Sequence, residues 1–199
     1  MDEWIRWAVA SIIGILGILV GRTWERHEHR VQKDRDLLKK LLEFLPSDGD
    51  TIRFLREQDF SGEFDGEFIH KLSRLWNCRT QPDFFFLNNK LENLRAQLFA
   101  ALNIFLSESA QKASPKDGAD YLSVPKPHEI LERRFAHLLN RRKWGELSQE
   151  EQTEIDSRLE RIRINAEIDF QETTSTLNKQ ASQIVQIYDE LIRESRIIL

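Results

Sequence analysis

The C-terminal stretch 148–199, SQEEQTEIDSRLERIRINAEIDFQETTSTLNKQASQIVQIYDELIRESRIIL, decides the fold class. It contains no proline and no glycine, the residues that most often end a helix. One helical face recurs through it at steps of three and four residues. That face consists of Ile155, Leu159, Ile162, Ala166, Phe170, Thr173, Leu177, Ala181, Ile184, Tyr188 and Leu191. The pattern predicts a helix over 149–197, about 75 Å long if it is continuous.

Two features of this helix are open at the level of sequence. Its middle, QETTSTLNKQAS at 171–182, is polar and rich in β-branched threonine, so the helix either continues or breaks there. Its apolar face pairs either within the chain or, as a coiled coil, with another chain. Its start is better defined, because Ser148 and Glu151 form the Ser-x-x-Glu pattern of a capping box.

A second long helix is predicted over 83–112, after Pro82. Its apolar stripe is Leu87, Leu91, Leu94, Leu98, Ala101 and Phe105. Such a stripe is usually part of the core of a helical bundle. With only 8 glycines and 5 prolines, the chain has few residues for tight turns. We therefore predict an all-α fold, a mostly antiparallel helical bundle with a long C-terminal helix.

Shorter elements are expected around these helices. A helical stalk is predicted over 25–45, ended by Pro46, with further helices starting at an Asp50 N-cap, over 64–76 and over 129–143. The segment 113–127 holds three of the five prolines and is predicted to be a linker, extended near Tyr121.

The N-terminal segment has the pattern of a membrane anchor. The run 7–20, WAVASIIGILGILV, is uncharged, and Trp4, Trp7 and Trp24 lie at its two ends. From Trp4 to Trp24 a helix rises about 30 Å, the thickness of the hydrocarbon layer, with tryptophans at the interfaces. A cleaved signal peptide, a buried core helix and an interfacial helix fit less well, because the run lacks a basic start, an apolar partner and a polar face.

Basic residues after the span predict its orientation. Arg22, Arg26, Arg30 and Lys33 follow it, which places the N-terminus outside and the remaining chain in the cytoplasm, at the inner (plasma) membrane. The same four side chains form one helix stripe that either contacts lipid headgroups or serves only as a topology signal. The predicted division is an anchor at 1–24, a stalk at 25–45 and a cytosolic bundle at 46–199.

Small residues line one face of the predicted span. Ala10, Gly14, Gly17 and Gly21 recur at steps of four, three and four. Small residues let membrane helices approach closely, which predicts a homo-oligomer, although glycine is also common in membrane helices generally.

Three stretches resemble a family of bacterial membrane-anchored helical-bundle proteins. They are FLPSDGDTIRFLREQDFSGEF at 44–64, PDFFFLNNKLENLRAQL at 82–98 and QIYDELIRESR at 186–196. The resemblance covers about half of the chain. It implies a membrane helix or coiled stalk before a helical domain, and it implies no activity and no catalytic residues.

The sequence predicts no catalytic, cofactor-binding or metal site. His27 and His29 point to different sides of a helix, and the single cysteine, Cys78, has no ligand partner at zinc spacing. Arg22-x-x-x-x-His27 matches the loose spacing of a class of helical ribonucleases, but beside a membrane. With a net charge of −4 and interspersed signs, no nucleic-acid partner is expected.

The consecutive aromatics Phe84, Phe85 and Phe86 are either a docking patch or a cover over the end of the bundle. The function expected from these features is a membrane-tethered, non-enzymatic interaction or assembly protein. Its partners are membrane lipid and either further copies or another protein. The alternatives are a bacterial stress or phage-defence effector that oligomerises in the membrane, and a helical nuclease.

Overall fold

The computed structural model of the chain describes residues 24–25, 27–116, 120–143 and 148–199. The protein is mostly helical over these residues, with one small sheet. The helices are α1 over 24–25 and 27–44, α2 Asp50–Glu57, α3 Gly66–Asn77, α4 Asn89–Lys112, α5 Pro127–Lys143 and α6 Gln149–Ile198. A 3₁₀ turn at Cys78–Thr80 follows α3, and the strands are β1 Glu63–Asp65, β2 Ser114–Pro115 and β3 Tyr121–Ser123.

The long C-terminal helix is confirmed, and it is continuous through the polar segment 171–182. Thr173 and Thr174 are buried there, and the Thr174 hydroxyl donates to the carbonyl of Phe170 at 2.9 Å. This bond satisfies the hydroxyl without breaking the helix. The capping box is also confirmed, because the side chains of Ser148 and Glu151 each accept from the other residue's main-chain nitrogen.

Helix α4 packs antiparallel to α6. Lys90 near its start pairs with Glu194 at 2.6 Å, and Lys112 at its end pairs with Asp169 at 3.0 Å. It begins at Asn89 and not at residue 83 as predicted, because the Asn88 side chain accepts from the main-chain nitrogens that follow it. Residues 149–168 of α6 precede the Asp169 contact, and this part of α6 therefore extends past the end of α4. Helix α5 packs on α6.

The core lies between α1, α2, α3, α4 and the second half of α6. Its centre is a cluster of aromatic rings with centroids 4.6–6.4 Å apart. The members are Phe54, Phe60, Phe64, Phe68 and Phe105. Edge-to-face and offset contacts at this spacing are the arrangements that aromatic side chains prefer.

A three-stranded antiparallel sheet corrects the all-α prediction. The strand order is β1-β3-β2, with Phe64 and Pro115 both opposite Leu122. Each strand has two or three residues, too few to show an alternating pattern in the sequence. The sheet places residues of the predicted linker 113–127 against the bundle. Gly66 favours this close approach, because a Cβ there would lie 3.0 Å from the carbonyl oxygen of Asp120 and would press on the backbone.

The aromatics at residues 84–86 are divided between core and surface. Phe84 and Phe86 are buried, whereas Phe85 is exposed under the guanidinium of Arg95 at 4.4 Å. Two of the three rings are therefore part of the core, and the third packs against a cation on the surface.

The predicted anchor lies outside the described residues, except for Trp24. Within the described ranges, no helix combines the length and the low polarity that a membrane crossing requires.

Candidate functional site: the junction between the stalk and the bundle

The solvent exposure of helix α1 changes along its length. Every described residue from Trp24 to Arg30 is exposed, whereas Leu37, Leu41 and Leu45 are almost fully buried. The last three residues follow the four-residue step of one helix face. The second half of α1 is therefore part of the core, and the first half projects from it.

Asp34 lies where the two halves of α1 meet. It is 3% exposed, and its carboxylate accepts hydrogen bonds from the main-chain nitrogens of Leu87 at 2.5 Å and Asn88 at 2.9 Å. These donors lie just before the first turn of α4, where main-chain N–H groups have no partners within the helix. The helix dipole also favours a negative charge at that position. Asp34 thus joins α1 to the start of α4.

Arg35 joins α1 to the end of α6. Its guanidinium donates to the main-chain oxygen of Leu199, with Nε at 2.9 Å. Next to this contact, an open groove of about 730 Å³ lies between the exposed half of α1 and the end of α6. Residues that line it include Trp24, His27, Val31 and Ile198.

Two further contacts hold the other end of α1. The Tyr188 hydroxyl, fully buried on α6, donates to the carbonyl of Leu45 at 2.6 Å. Burial raises the pKa of Tyr188 to about 12. Lys40 pairs with Asp83 on the surface, which raises the pKa of Lys40 and lowers that of Asp83. Helix α1 is therefore held along its second half by α4, α6 and the segment before α4.

Three of the residues predicted to lie in the anchor or to contact lipid are described by the structure, and all three lie on the exposed half of α1. Trp24 is 64% exposed, and its indole N–H donates to Glu28 at 2.9 Å. Arg30 and Lys33 are exposed. The other predicted residues lie outside the described residues: Trp4, Trp7, Ala10, Gly14, Gly17, Gly21, Arg22 and Arg26. The pairing of small residues in the anchor thus stays a prediction.

A second groove, of about 760 Å³, lies beside α6 and the start of α5. Its polar residues support the fold: Asn178 accepts from the main-chain nitrogen of Phe60 at 3.2 Å and donates to Asp59 at 3.3 Å. The hydroxyl and main-chain N–H of Ser61, with Asn178, hold the pKa of Asp59 below its usual value. These contacts fix the turn at residues 59–61 and leave this groove without an evident chemical role.

No protein-family model, curated protein or solved structure matches this chain. Its function therefore has to be argued from its own residues. Among the described residues, no group of histidine, cysteine, aspartate and glutamate side chains is arranged to hold a metal ion.

Sequence reasoning missed the two residues that make the junction. Asp34 continues the buried stripe of Leu37, Leu41 and Leu45 one step towards the N-terminus. An acidic residue in line with an apolar stripe signals a buried group with a specific partner. Arg35 has no comparable signal, because arginine on a polar stalk is ordinary.

Proposed function

We propose that this chain is a membrane-tethered, non-enzymatic interaction or assembly protein whose helical bundle is held in the cytoplasm by an N-terminal anchor. The observation that supports this most directly is the junction around Asp34 and Arg35. Helix α1, which follows the predicted anchor in the sequence, enters the core and bonds to Asn88, the N-cap of α4, and to Leu199, the C-cap of α6. Such a connection holds the bundle in a fixed orientation to the anchor, which a flexible tether would not do.

We also propose that the protein self-associates through the anchor, with Gly17 and Gly21 at the helix contact. The exposed first half of α1 supports this, because it leaves space between the bundle and the membrane for anchors to approach.

Fractionation tests the tether. The full chain, expressed in bacteria with a C-terminal tag, should stay with the membrane after an alkaline carbonate wash. Its tag should resist protease in spheroplasts and be cleaved after lysis. Release of the protein by carbonate would refute the anchor, and cleavage in intact spheroplasts would refute the orientation.

Crosslinking in cells followed by mass spectrometry tests the assembly. A ladder of homo-oligomers, or one dominant partner, is expected. A chain that stays monomeric and without a partner would refute the assembly function. The membrane-effector alternative predicts that induced expression depolarises the cells, and the proposed function predicts that it does not.

A further inference from the structure

One end of the bundle presents exposed apolar and basic side chains next to the projecting half of α1. The Asp34 and Arg35 contacts bring the middle of α1, the start of α4 and the last turn of α6 to this end. We define the stalk-side end as Lys33, Leu87, Arg196 and Ile197. Leu87 is 47% exposed, Ile197 is 74% exposed, and both basic residues are exposed.

These residues do not complete the core. Ile197 is the most exposed large apolar side chain among the described residues, although its neighbours Ile198 and Leu199 pack against the core. Exposed aliphatic side chains interspersed with lysine and arginine are typical of surfaces that contact a membrane interface. The basic side chains suit the phosphate groups of a lipid layer, and the aliphatic side chains suit the hydrocarbon beneath them.

We propose that the stalk-side end docks on an anionic phospholipid headgroup layer, with Lys33 and Arg196 drawn to the phosphates and Ile197 at the outer edge of the layer. This inference rests on the proposed function, because the anchor is what brings this end of the bundle to lipid. The uncharged run 7–20 precedes Trp24 in the sequence, and under the proposed function the membrane lies on this side of the bundle.

The length of the projecting half of α1 sets the geometry. Ten residues separate Trp24 from Asp34, which is about 15 Å of helix. The headgroup layer is about 5–7 Å thick on each side of the hydrocarbon. With α1 upright, the stalk-side end would therefore lie about 8–10 Å outside the layer, close to one Debye length at physiological salt. Attraction between the basic side chains and anionic lipid already acts at that distance.

Tilting completes the contact. The axis of α6 lies about 10 Å from that of α1, the usual spacing of packed helices. A tilt of about 20° towards α6 keeps the span of the anchor near 28 Å and lowers the end of α6 to about 11 Å from the level of Trp24, which brings the long side chain of Arg196 close to the outer phosphates. Tilts up to this size occur in membrane helices. The proposal therefore predicts an inclined anchor with α6 on its lower side.

Site-specific labels in the full chain test the docking. Three single-cysteine variants, Leu16→Cys, Ile197→Cys and Ser157→Cys, are made in a Cys78→Ser background and labelled with an environment-sensitive fluorophore. They are reconstituted in vesicles of phosphatidylcholine with about one-third phosphatidylglycerol, with nitroxides on headgroups or on acyl chains. Ser157 is the matched control, because it is exposed on α6 about 60 Å along the helix from Ile197.

Headgroup nitroxides should quench the label at residue 197 at least twofold more than the label at residue 157. That difference should shrink in pure phosphatidylcholine and with Lys33→Glu and Arg196→Glu together. Equal quenching at 197 and 157, or no dependence on anionic lipid, would overturn the docking. The label at residue 197 could instead become protected from solvent as the density of protein in the vesicles rises, without quenching by nitroxide lipid. That result would also overturn the docking, and it would indicate that this end contacts a second copy of the chain.

The label at residue 16 separates this inference from the proposed function. Acyl-chain nitroxides should quench it strongly if the anchor crosses the membrane. Quenching at 16 without quenching at 197 refutes the docking alone. Absence of quenching at 16 refutes the anchor, and with it the proposed function.

Discussion

The carboxylate of Asp34 accepts a hydrogen bond from the main-chain nitrogen of Asn88 at 2.9 Å, 54 residues further along the chain. Asn88 in turn caps α4 with its own side chain. A carboxylate of α1 thus holds the residue that starts α4. Because α4 is the main antiparallel partner of α6, loss of this contact should lower the stability of the whole bundle.

Removal of the Asp34 carboxylate should destabilise the protein. Asp34→Ala leaves two main-chain donors without their charged acceptor, which costs about 2–3 kcal/mol in the free energy of unfolding. Urea denaturation in mild detergent, followed by circular dichroism, measures the change. The control is Asp36→Ala, since Asp36 is exposed and bonds only to Gln32 and Lys39 on its own helix. Equal stability of the two variants would contradict the role of Asp34.

The partly buried ion pair of Arg95 and Glu92 predicts a second loss of stability. The Arg95 side chain is 6% exposed, pairs with Glu92 at 2.6 Å and lies between the rings of Phe85 and Phe99. Arg95→Ala removes the charged partner of Glu92, a partly buried carboxylate that keeps only the bond from the main-chain nitrogen of Phe86 at 3.0 Å, and should cost about 2–3 kcal/mol. Thermal and urea unfolding measure it.

A matched control for Arg95 is Arg163→Ala. Arg163 has the same three-residue spacing to its partner Glu160, but both side chains are more than half exposed. That variant should change stability by less than about 0.5 kcal/mol. In addition, Glu92→Gln with Arg95→Met should recover part of the loss, because the pair is then replaced by neutral groups. Absence of any recovery would argue against an unpaired charge as the cause.

Tyr188 predicts a loss of stability at high pH. Its pKa in the folded protein is raised to about 12 from an ordinary value near 10. The folded state therefore holds the phenol proton more tightly, and this contribution is complete below pH 10 and is lost as the pH rises towards 12. Tyrosinate absorbance near 295 nm should show a late step that Tyr188→Phe removes. Unfolding between pH 10 and 12 should depend less on pH in that variant.

Tyr188→Phe should also weaken the protein at neutral pH. It removes the donor to the Leu45 carbonyl, and an unpaired buried acceptor costs about 1–3 kcal/mol. Tyr121→Phe is the control, because Tyr121 is exposed on β3. A late absorbance step that persisted in Tyr188→Phe would assign the raised pKa to another group.

The small-residue face of the anchor predicts how assembly responds to mutation. Gly17→Leu with Gly21→Leu should separate the helices and reduce the crosslinked homo-oligomer several-fold in membranes. Ile12→Leu with Ile18→Leu keeps side-chain volume in the same span and should leave crosslinking unchanged. If both double variants crosslink like the unaltered chain, association through this face is refuted.

The sequence by itself determined the elements whose signals are local. The three- and four-residue periodicity predicted α6 and most of α4, and the Ser148–Glu151 pattern located the start of α6 to the residue. These signals survive because each side chain acts on neighbours three or four positions away in its own helix. The boundary at Asn88 was missed, since the apolar run 84–87 looks helical although its rings pack into the core or against Arg95.

Only the tertiary structure decided the contacts between distant segments. The pairing of β1 with β3, the contact of Arg95 with the ring of Phe85, and the bonds from Asp34 and Arg35 join residues that no local period relates. Strands of two or three residues and single buried charges leave no repeating pattern to read. They are stable only because the packed helices exclude water around them and hold their partners at hydrogen-bonding distance.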